Sequence, residues 1–287
     1  MSTADVSEPP TRRHRLGVAL KYVPLRVDVN PLTGAVRTDD RLAGASPADE
    51  AALEYALRCA EAWGWDVVVA SAGDRRCEPM LRTALASGAA SAVRVDLPRD
   101  AAAPVVSAAL AAALGDCAII ICGDHSLDRG SGSVPAFLAG QLGAAQALGL
   151  VSVTPVAAGV LEAERRLDGG RRERIRVAAP GVLSVEAGGV RLRRASLPAV
   201  LRARVTPLDV LPSPVPYALD PASGTRRPYR PRPKALPAPA ATLPARDRVL
   251  MLTGALSNRR APAVIRTGDP AEAADALLNF LRERNYL

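Results

Sequence analysis

CAIIICGDHSLDRGSGSV, residues Cys117 to Val134, is the stretch whose reading decides the architecture. Cys117–Cys122 is apolar without a break, and a short apolar run between helical segments reads as a strand covered on both faces. A polar Gly/Ser loop, Gly123–Ser133, follows, and Val134 opens a helix predicted to reach about Leu148. Upstream, the same rhythm repeats. Arg15–Tyr22 reads as a buried strand and Val27–Thr38 as a hairpin turning at Pro31–Gly34. Ser46 caps the next helix, with Pro47 as its first residue and Asp49 and Glu50 in its first turn. Leu53, Ala56, Leu57 and Ala60 keep helical spacing until Gly64. Strands at Asp66–Ala70 and Ala92–Asp96 then alternate with helices at Pro79–Ser87 and Pro104–Leu114. Alternation of this kind predicts an α/β fold: a mainly parallel twisted sheet with flanking helices.

Past Val151 the rhythm changes. Val151–Leu167 and Arg172–Val185 flank Asp168-Gly169-Gly170, a hairpin turn signal. A short helix is expected near Ser196–Ala203. Pro212–Pro244 is Pro-rich and reads as an extended, irregular arm. A strand is expected at Arg248–Thr253 and an amphipathic helix at Pro270–Arg284. Three regions result: a disordered leader (1–14, including His14), an α/β domain (15–203), and an arm with a C-terminal helix (204–287).

Composition narrows the class. The chain has 287 residues, 48% hydrophobic and 23% charged, which fits a soluble globular protein. No apolar run is long enough to span a membrane. The first residues carry no apolar secretory segment, so a cytoplasmic location is expected. The formal charge is +8, yet Lys21 and Lys234 are the only lysines; such an Arg- and Ala-rich chain fits a GC-rich genome. Only 3% of residues are aromatic, which leaves little for base stacking and argues against nucleic acid as partner. The cysteines Cys59, Cys77, Cys117 and Cys122 form no CxxC pair and read as small core residues. Cys117 and Cys122 stand an odd number of residues apart on one strand, which predicts opposite faces. No metal site is expected.

The loop after Cys122 is the candidate site. Loops beyond the C-terminal ends of strands in open α/β sheets bind ligands, and backbone N–H groups at a helix start attract anions. Gly123–Ser133 therefore reads either as a phosphate or nucleotide seat or as an ordinary capped loop. It is neither a P-loop nor a GxGxxG turn. Asp124, His125 and Ser126 are triad ingredients, but sequence neighbours rarely meet in triad geometry. No catalytic residue is assigned.

Three blocks in order resemble the beta subunits of electron transfer flavoproteins: Val18-Ala19-Leu20-Lys21-Tyr22-Val23-Pro24, Arg82–Ala89, and Ala163-Glu164-Arg165-Arg166-Leu167-Asp168-Gly169-Gly170 with Glu173, Ile175 and Pro180–Leu183. Ser196–Arg204 is similar to the family's recognition loop. The resemblance implies a Rossmann-like three-layer domain, similar to the adenine nucleotide α-hydrolases, with a β-hairpin and a C-terminal arm. It implies a heterodimer with an alpha subunit that holds most of the FAD, the arm wrapping that partner. It also implies AMP, or in some members a second FAD, in a beta-subunit pocket. Carried over by position, that pocket uses Ala19, Lys21, Ser46, Ser71, Ala72, Gly73, Gly123, Asp128, Gly130, Ser131, Gly132, Ser133 and Val134. The resemblance likewise implies docking to a partner dehydrogenase through Ser196, Leu197, Pro198, Val200, Leu201 and Arg202, with Leu197 as anchor.

Some positions depart from the family pattern. Ser46-Pro47-Ala48 replaces Asn-Pro-Phe/Tyr, Ser133-Val134-Pro135 replaces Gln-Val/Thr-Gly, and Arg166 replaces a carboxylate. These changes point to a divergent branch, and the composition is compatible with the one that accompanies the actinobacterial mycofactocin redox system. Two rival readings differ in kind: a nucleotide-binding enzyme of the same fold, and a scaffold and docking subunit with an empty pocket.

Overall fold

The computed structural model describes residues 13–30, 32–214, 238–254, 264 and 267–283. Most of the expected leader and much of the Pro-rich arm (215–237) lie outside these residues. The chain divides into two units, Met1–Tyr229 and Arg230–Leu287.

In chain order the first unit contains β1 (Arg13–Ala19), β2 (Val23–Pro24), β3 (Val27–Val29), β4 (Val36–Thr38), β5 (Ala43–Gly44), α1 (Pro47–Trp63), β6 (Asp66–Ala72), α2 (Glu78–Ser87), β7 (Ser91–Val95) and α3 (Ala103–Leu114). It continues with β8 (Cys117–Gly123), α4 (Val134–Leu142), β9 (Ala145–Ala157), β10 (Val160–Arg166), β11 (Arg172–Ala178), β12 (Gly181–Val185), α5 (Leu197–Val205) and β13 (Asp209–Leu211). Nine strands form one sheet in the order β11-β10-β9-β12-β8-β1-β6-β7-β13. It is parallel from β9 to β13 and antiparallel only where β10 joins β9 and β11. The fold is the expected three-layer α/β class.

Strand alternation builds the two outer layers. Leu16, Val18, Val67, Val69, Ile119 and Ile121 pack with α1 and α2 on one face. Val68, Ala70, Ile120 and Cys122 pack with Leu110, Leu114 and Leu138 of α3 and α4 on the other. Gly17 is small because β1 and β8 run side by side: a Cβ there would lie 3.0 Å from Ile120 Cγ1. The β3–β4 hairpin forms as expected, its turn held by Asn30, whose Oδ1 accepts from Leu32 N (2.9 Å) and Thr33 N (3.1 Å).

Several expectations need correction. Helix α4 stops at Leu142, short of Leu148, because Gly143 adopts a left-handed φ of 57° and donates to the carbonyls of Ala139 and Gly140. The next residues enter β9, which pairs on both sides with β12 and β10. Each limb of the Asp168–Gly170 hairpin is itself divided, by a turn at Ala158–Gly159 and at the cis Ala179–Pro180 bond, and β12 thereby returns to pair with β8. β1 begins at Arg13, so His14 lies in a strand, its ring 5.4 Å from that of Trp65. Cys117 and Cys122, expected on opposite faces, share one apolar cluster, Cys117 standing at the first position of β8. The edge strand β13 pairs with β7 in register Asp209↔Val93, beyond the Ala203 boundary expected for the domain.

The second unit contains α6 (Ala245–Leu252) and α7 (Pro270–Glu283). The strand expected at Arg248–Thr253 is therefore helical. Among its described residues this unit has no other strand, and a lone strand would leave its backbone groups unpaired, whereas a helix satisfies them internally. Asp269 caps α7 by accepting from Ala271 N (2.9 Å). Among the described residues, no helix is long and apolar enough to cross a membrane.

Candidate functional site

The C-terminal ends of β1 and β8 and the N-terminus of α1 meet at one point, and Asp49 holds them there. Ser46 Oγ accepts from Asp49 N (3.2 Å) and donates to Asp49 Oδ2 (3.1 Å), while Lys21 N donates to the same carboxylate (3.4 Å). Gly123 ends β8 directly against it: a Cβ there would lie 2.6 Å from Asp49 Oδ1 and 3.0 Å from Asp49 N. Burial pushes the Asp49 carboxyl up to about 6, against the opposing pull of its hydrogen bonds to Ser46, Lys21 and Gly123.

Above Asp49 opens a cleft. It is lined by the apolar Ala19, Ala103, Val106, Leu110, Cys122 and Val134 and by the polar Lys21, Asp124, His125, Ser126, Ser131 and Ser133, with Arg99 and Arg129. Of the residues singled out from sequence, Ala19, Lys21, Ala72, Gly123, Ser131, Gly132, Ser133 and Val134 line this cleft. Asp128 is outside the lining but grips Lys21, Oδ1 to Nζ 2.6 Å. Burial alone would raise the Asp128 carboxyl, but the bonds to Lys21 and Ser126 and the Lys21 charge outweigh it and hold it below the usual range. Gly130 lies in the same loop with φ 65°.

Ser46, Ser71 and Gly73 do not reach the cleft surface. Ser46 is bound to Asp49, Ser71 is buried beside the Cys77 thiol, and Gly73 donates to Val95 O (2.9 Å), joining the ends of β6 and β7. Asp49 and Arg99 are among the cleft residues the sequence reading did not assign, whereas Arg129 lies inside the Gly123–Val134 loop it singled out. Asp49 had a signal, a first-turn acid one residue beyond Pro47 and Ala48, but a first-turn acid is ordinarily a solvated helix feature.

His125 Nδ1 lies 2.8 Å from Asp124 Oδ1, but that buried oxygen has no hydrogen-bond partner among the described residues, and no nucleophile–base pair forms. The adjacent hydroxyls are engaged elsewhere: Ser126 Oγ accepts from Lys21 Nζ (3.3 Å), and Ser131 and Ser133 bond each other (3.1 Å). Cys122 faces the cleft as a thiol that burial raises to about 12, far from the thiolate a nucleophile requires.

A second constellation surrounds α5. Ser196 caps it, accepting from Ala199 N (3.4 Å), and Pro198 stands in its first turn. On its outer face Leu197 is 70% exposed, Leu201 52% and Val205 82%, a stripe at intervals of four residues. Val200 is half-buried and so lies off this stripe, Arg202 is exposed, and Val205 was not foreseen although its spacing from Leu201 is legible. Both ends of α5 are tied to the core. Arg82 Nη1, on α2, donates to the carbonyls of Ala203 (2.7 Å), Arg204 (3.0 Å) and Thr206 (2.9 Å). Ahead of α5, Arg193 donates to the buried Glu54 of α1 through its N (3.1 Å) and Nε (3.0 Å), and also pairs with Glu61. Burial alone would raise Glu54, but the bonds to Arg193 and Arg58 outweigh it and hold the carboxyl below its usual range.

The electron transfer flavoprotein domain model matches residues 34–215. The chain is 29% identical over 184 residues to the electron transfer flavoprotein subunit beta of Bacillus subtilis, covering 62% of this chain and 71% of that one. It is 28% identical over 207 residues to the human beta subunit (69% and 80% of the two chains). With the mitochondrial beta subunit of Arabidopsis thaliana it shares 30% over 199 residues (67% and 78%). The family model covers well over half of the chain, and the chain belongs to the electron transfer flavoprotein family, among its beta subunits.

Proposed function

We propose that the chain pairs with an alpha subunit in a heterodimer and supports electron flow from a dehydrogenase to an acceptor through FAD held mainly by that alpha subunit. The observation that carries this reading is the clamped helix α5 with its exposed Leu197–Leu201–Val205 stripe. Apolar knobs held rigidly lose little entropy on docking, which is what a fast, repeatedly made electron-transfer contact needs. Leu197 is the anchor that enters a dehydrogenase pocket. FAD, when bound, supplies the electron-carrying chemistry; this chain binds, orients and docks.

The cleft is the seat of an adenine nucleotide, AMP or the adenosine end of a second FAD. Its lining fits: apolar side chains for the base, and for phosphate the Lys21 ammonium and the N-terminus of α4. The Pro-rich arm lies along the alpha subunit, and the complex works in the cytoplasm. Arg166, placed where common members carry a carboxylate, is ion-paired with Glu186 inside this chain. With the other departures and the Arg- and Ala-rich composition, this charge reversal is read as the mark of a divergent, mycofactocin-associated branch.

The test is co-expression with the alpha subunit, followed by mass spectrometry of the released small molecules and stopped-flow reduction by the cognate dehydrogenase. One FAD with one adenine nucleotide per heterodimer is expected. Leu197→Glu is expected to slow flavin reduction at least tenfold with flavin content unchanged; unaltered kinetics would remove the docking role. FAD alone favours the scaffold reading, to which Pro135 gives some support because it lacks an N–H at the start of α4. The absence of both flavin and a stable complex would overturn the proposal.

A further inference from the structure

We infer that the cleft selects an adenosine 5′-diphosphate group over a monophosphate, with Arg99 and Arg129 receiving the second phosphate. This rests on the reading of the cleft as a nucleotide seat and adds the ligand's chemistry to it.

The argument is one of uncommitted charge. Of the other ionic groups lining the cleft, Lys21 is held by Asp128, and Asp124 Oδ1 lies 2.8 Å from His125 Nδ1 without a hydrogen bond. Arg99 and Arg129 line the same cleft from different segments, the β7–α3 connection and the β8–α4 loop, and neither has a carboxylate within ion-pair distance. Asp74, whose carboxyl feels the Arg99 charge, is itself bound by Arg76 at 2.5 Å.

Both guanidiniums are nonetheless placed. Arg129 Nη1 donates to Ala101 O (2.8 Å), which fastens the loop to the opposite wall and leaves the rest of the fork available. Arg99 lies over the Tyr22 ring, its Cζ 5.7 Å from the centroid. The helix start beneath them is short of donors. Pro135 occupies the first turn of α4 and supplies no N–H, which weakens the hold on a lone phosphate. A planar guanidinium takes two phosphate oxygens at once, and two such groups lining one cleft suit a pyrophosphate. That group occurs both in a free nucleoside diphosphate and in a dinucleotide, and its chemistry is common to both.

The experiment is isothermal titration of the full-length chain, freed of bound small molecules, with AMP, ADP and FAD in magnesium-free buffer at fixed salt. ADP is expected to bind about tenfold or more tightly than AMP, the scale of one or two added charge-assisted hydrogen bonds. In the Arg99→Gln/Arg129→Gln variant the ratio of ADP to AMP affinity should fall to about one. FAD binding more tightly than ADP would identify the source as a dinucleotide, and the reverse order a free nucleotide. Equal affinity of the native chain for AMP and ADP overturns the inference and leaves the nucleotide seat standing. No heat with any of the three removes the seat itself, and the inference with it. The comparison on the native chain decides the matter even where the variant fails to fold.

Discussion

Asp49→Asn should flatten the dependence of stability on pH between 7 and 5. In the folded chain burial raises the Asp49 carboxyl to about 6, against a usual value of about 3.9 in an unfolded chain. The sign follows from which state holds the proton. Between these two values the folded chain binds a proton the unfolded chain does not, so acidification favours the fold. The burial penalty on the charged form is present at pH 7, is relieved as pH falls through about 6, and is fully relieved below the unfolded value. Integrating between pH 7 and pH 5 gives about 1.4 kcal/mol of added stability from this one group. Glu50 is also raised by burial and acts in the same direction, but it is common to both proteins and cancels in their difference. Glu54, Asp74 and Asp128 are held low by their partners and oppose the trend only nearer their own titration, below this window. Urea unfolding of both proteins at pH 7, 6 and 5 measures the difference. Parallel dependences, agreeing within about 0.5 kcal/mol, would refute the claim that Asp49 carries a buried charge at neutral pH.

Arg82→Ala should free the C-terminal end of α5: amide exchange across 200–206 is expected to rise by one to two powers of ten, from the loss of charge-assisted bonds of about 1.5–3 kcal/mol, while the strands of the core exchange as before. Gly123→Ala drives a methyl into Asp49 and should cost about 1–3 kcal/mol, read as a lowered melting temperature; an unchanged one would show that β8 and α1 separate easily. Cys59, Cys117 and Cys122, raised by burial to about 12, should resist a thiol reagent at pH 8 in the native chain, whereas all four cysteines should react after unfolding.

What the sequence disclosed followed period and punctuation. The apolar run Cys117–Cys122, the Ser46-Pro47 cap and the Asp168-Gly169-Gly170 turn are local signals, and each marks its element correctly. The errors arose where tertiary pairing decides. Ala145–Leu148 is as fit for helix as for strand, and it becomes strand because β12 and β10 are there to receive it. Arg248–Thr253 has no such partner among the described residues of its unit, and it coils. The same divide runs through the site. Loop residues such as Gly132 and Ser133 could be named from their composition. Asp49 becomes a cleft residue only through the approach of Gly123, some 70 residues on, and Arg82 becomes the tie of α5 only through the packing of α2 beside it.

One helix serves both constellations. α1 carries Asp49 at its first turn, under the cleft, and Glu54 and Glu61 further along, where they hold Arg193 at the approach to α5. A shared scaffold does not by itself transmit a signal, because coupling requires an element with two arrangements that both sites bias. α1 shows the opposite design. Its N-cap is closed by Ser46, its C-cap by a left-handed Gly64, and its inner face is buried from Ala48 to Ala60. A helix fixed in this way keeps the cleft and α5 at a constant separation whatever the cleft contains. Filling the cleft should therefore leave the docking rate of the Leu197 stripe unchanged, and a change in that rate would require α1 to shift as a body, carrying Arg193 with it.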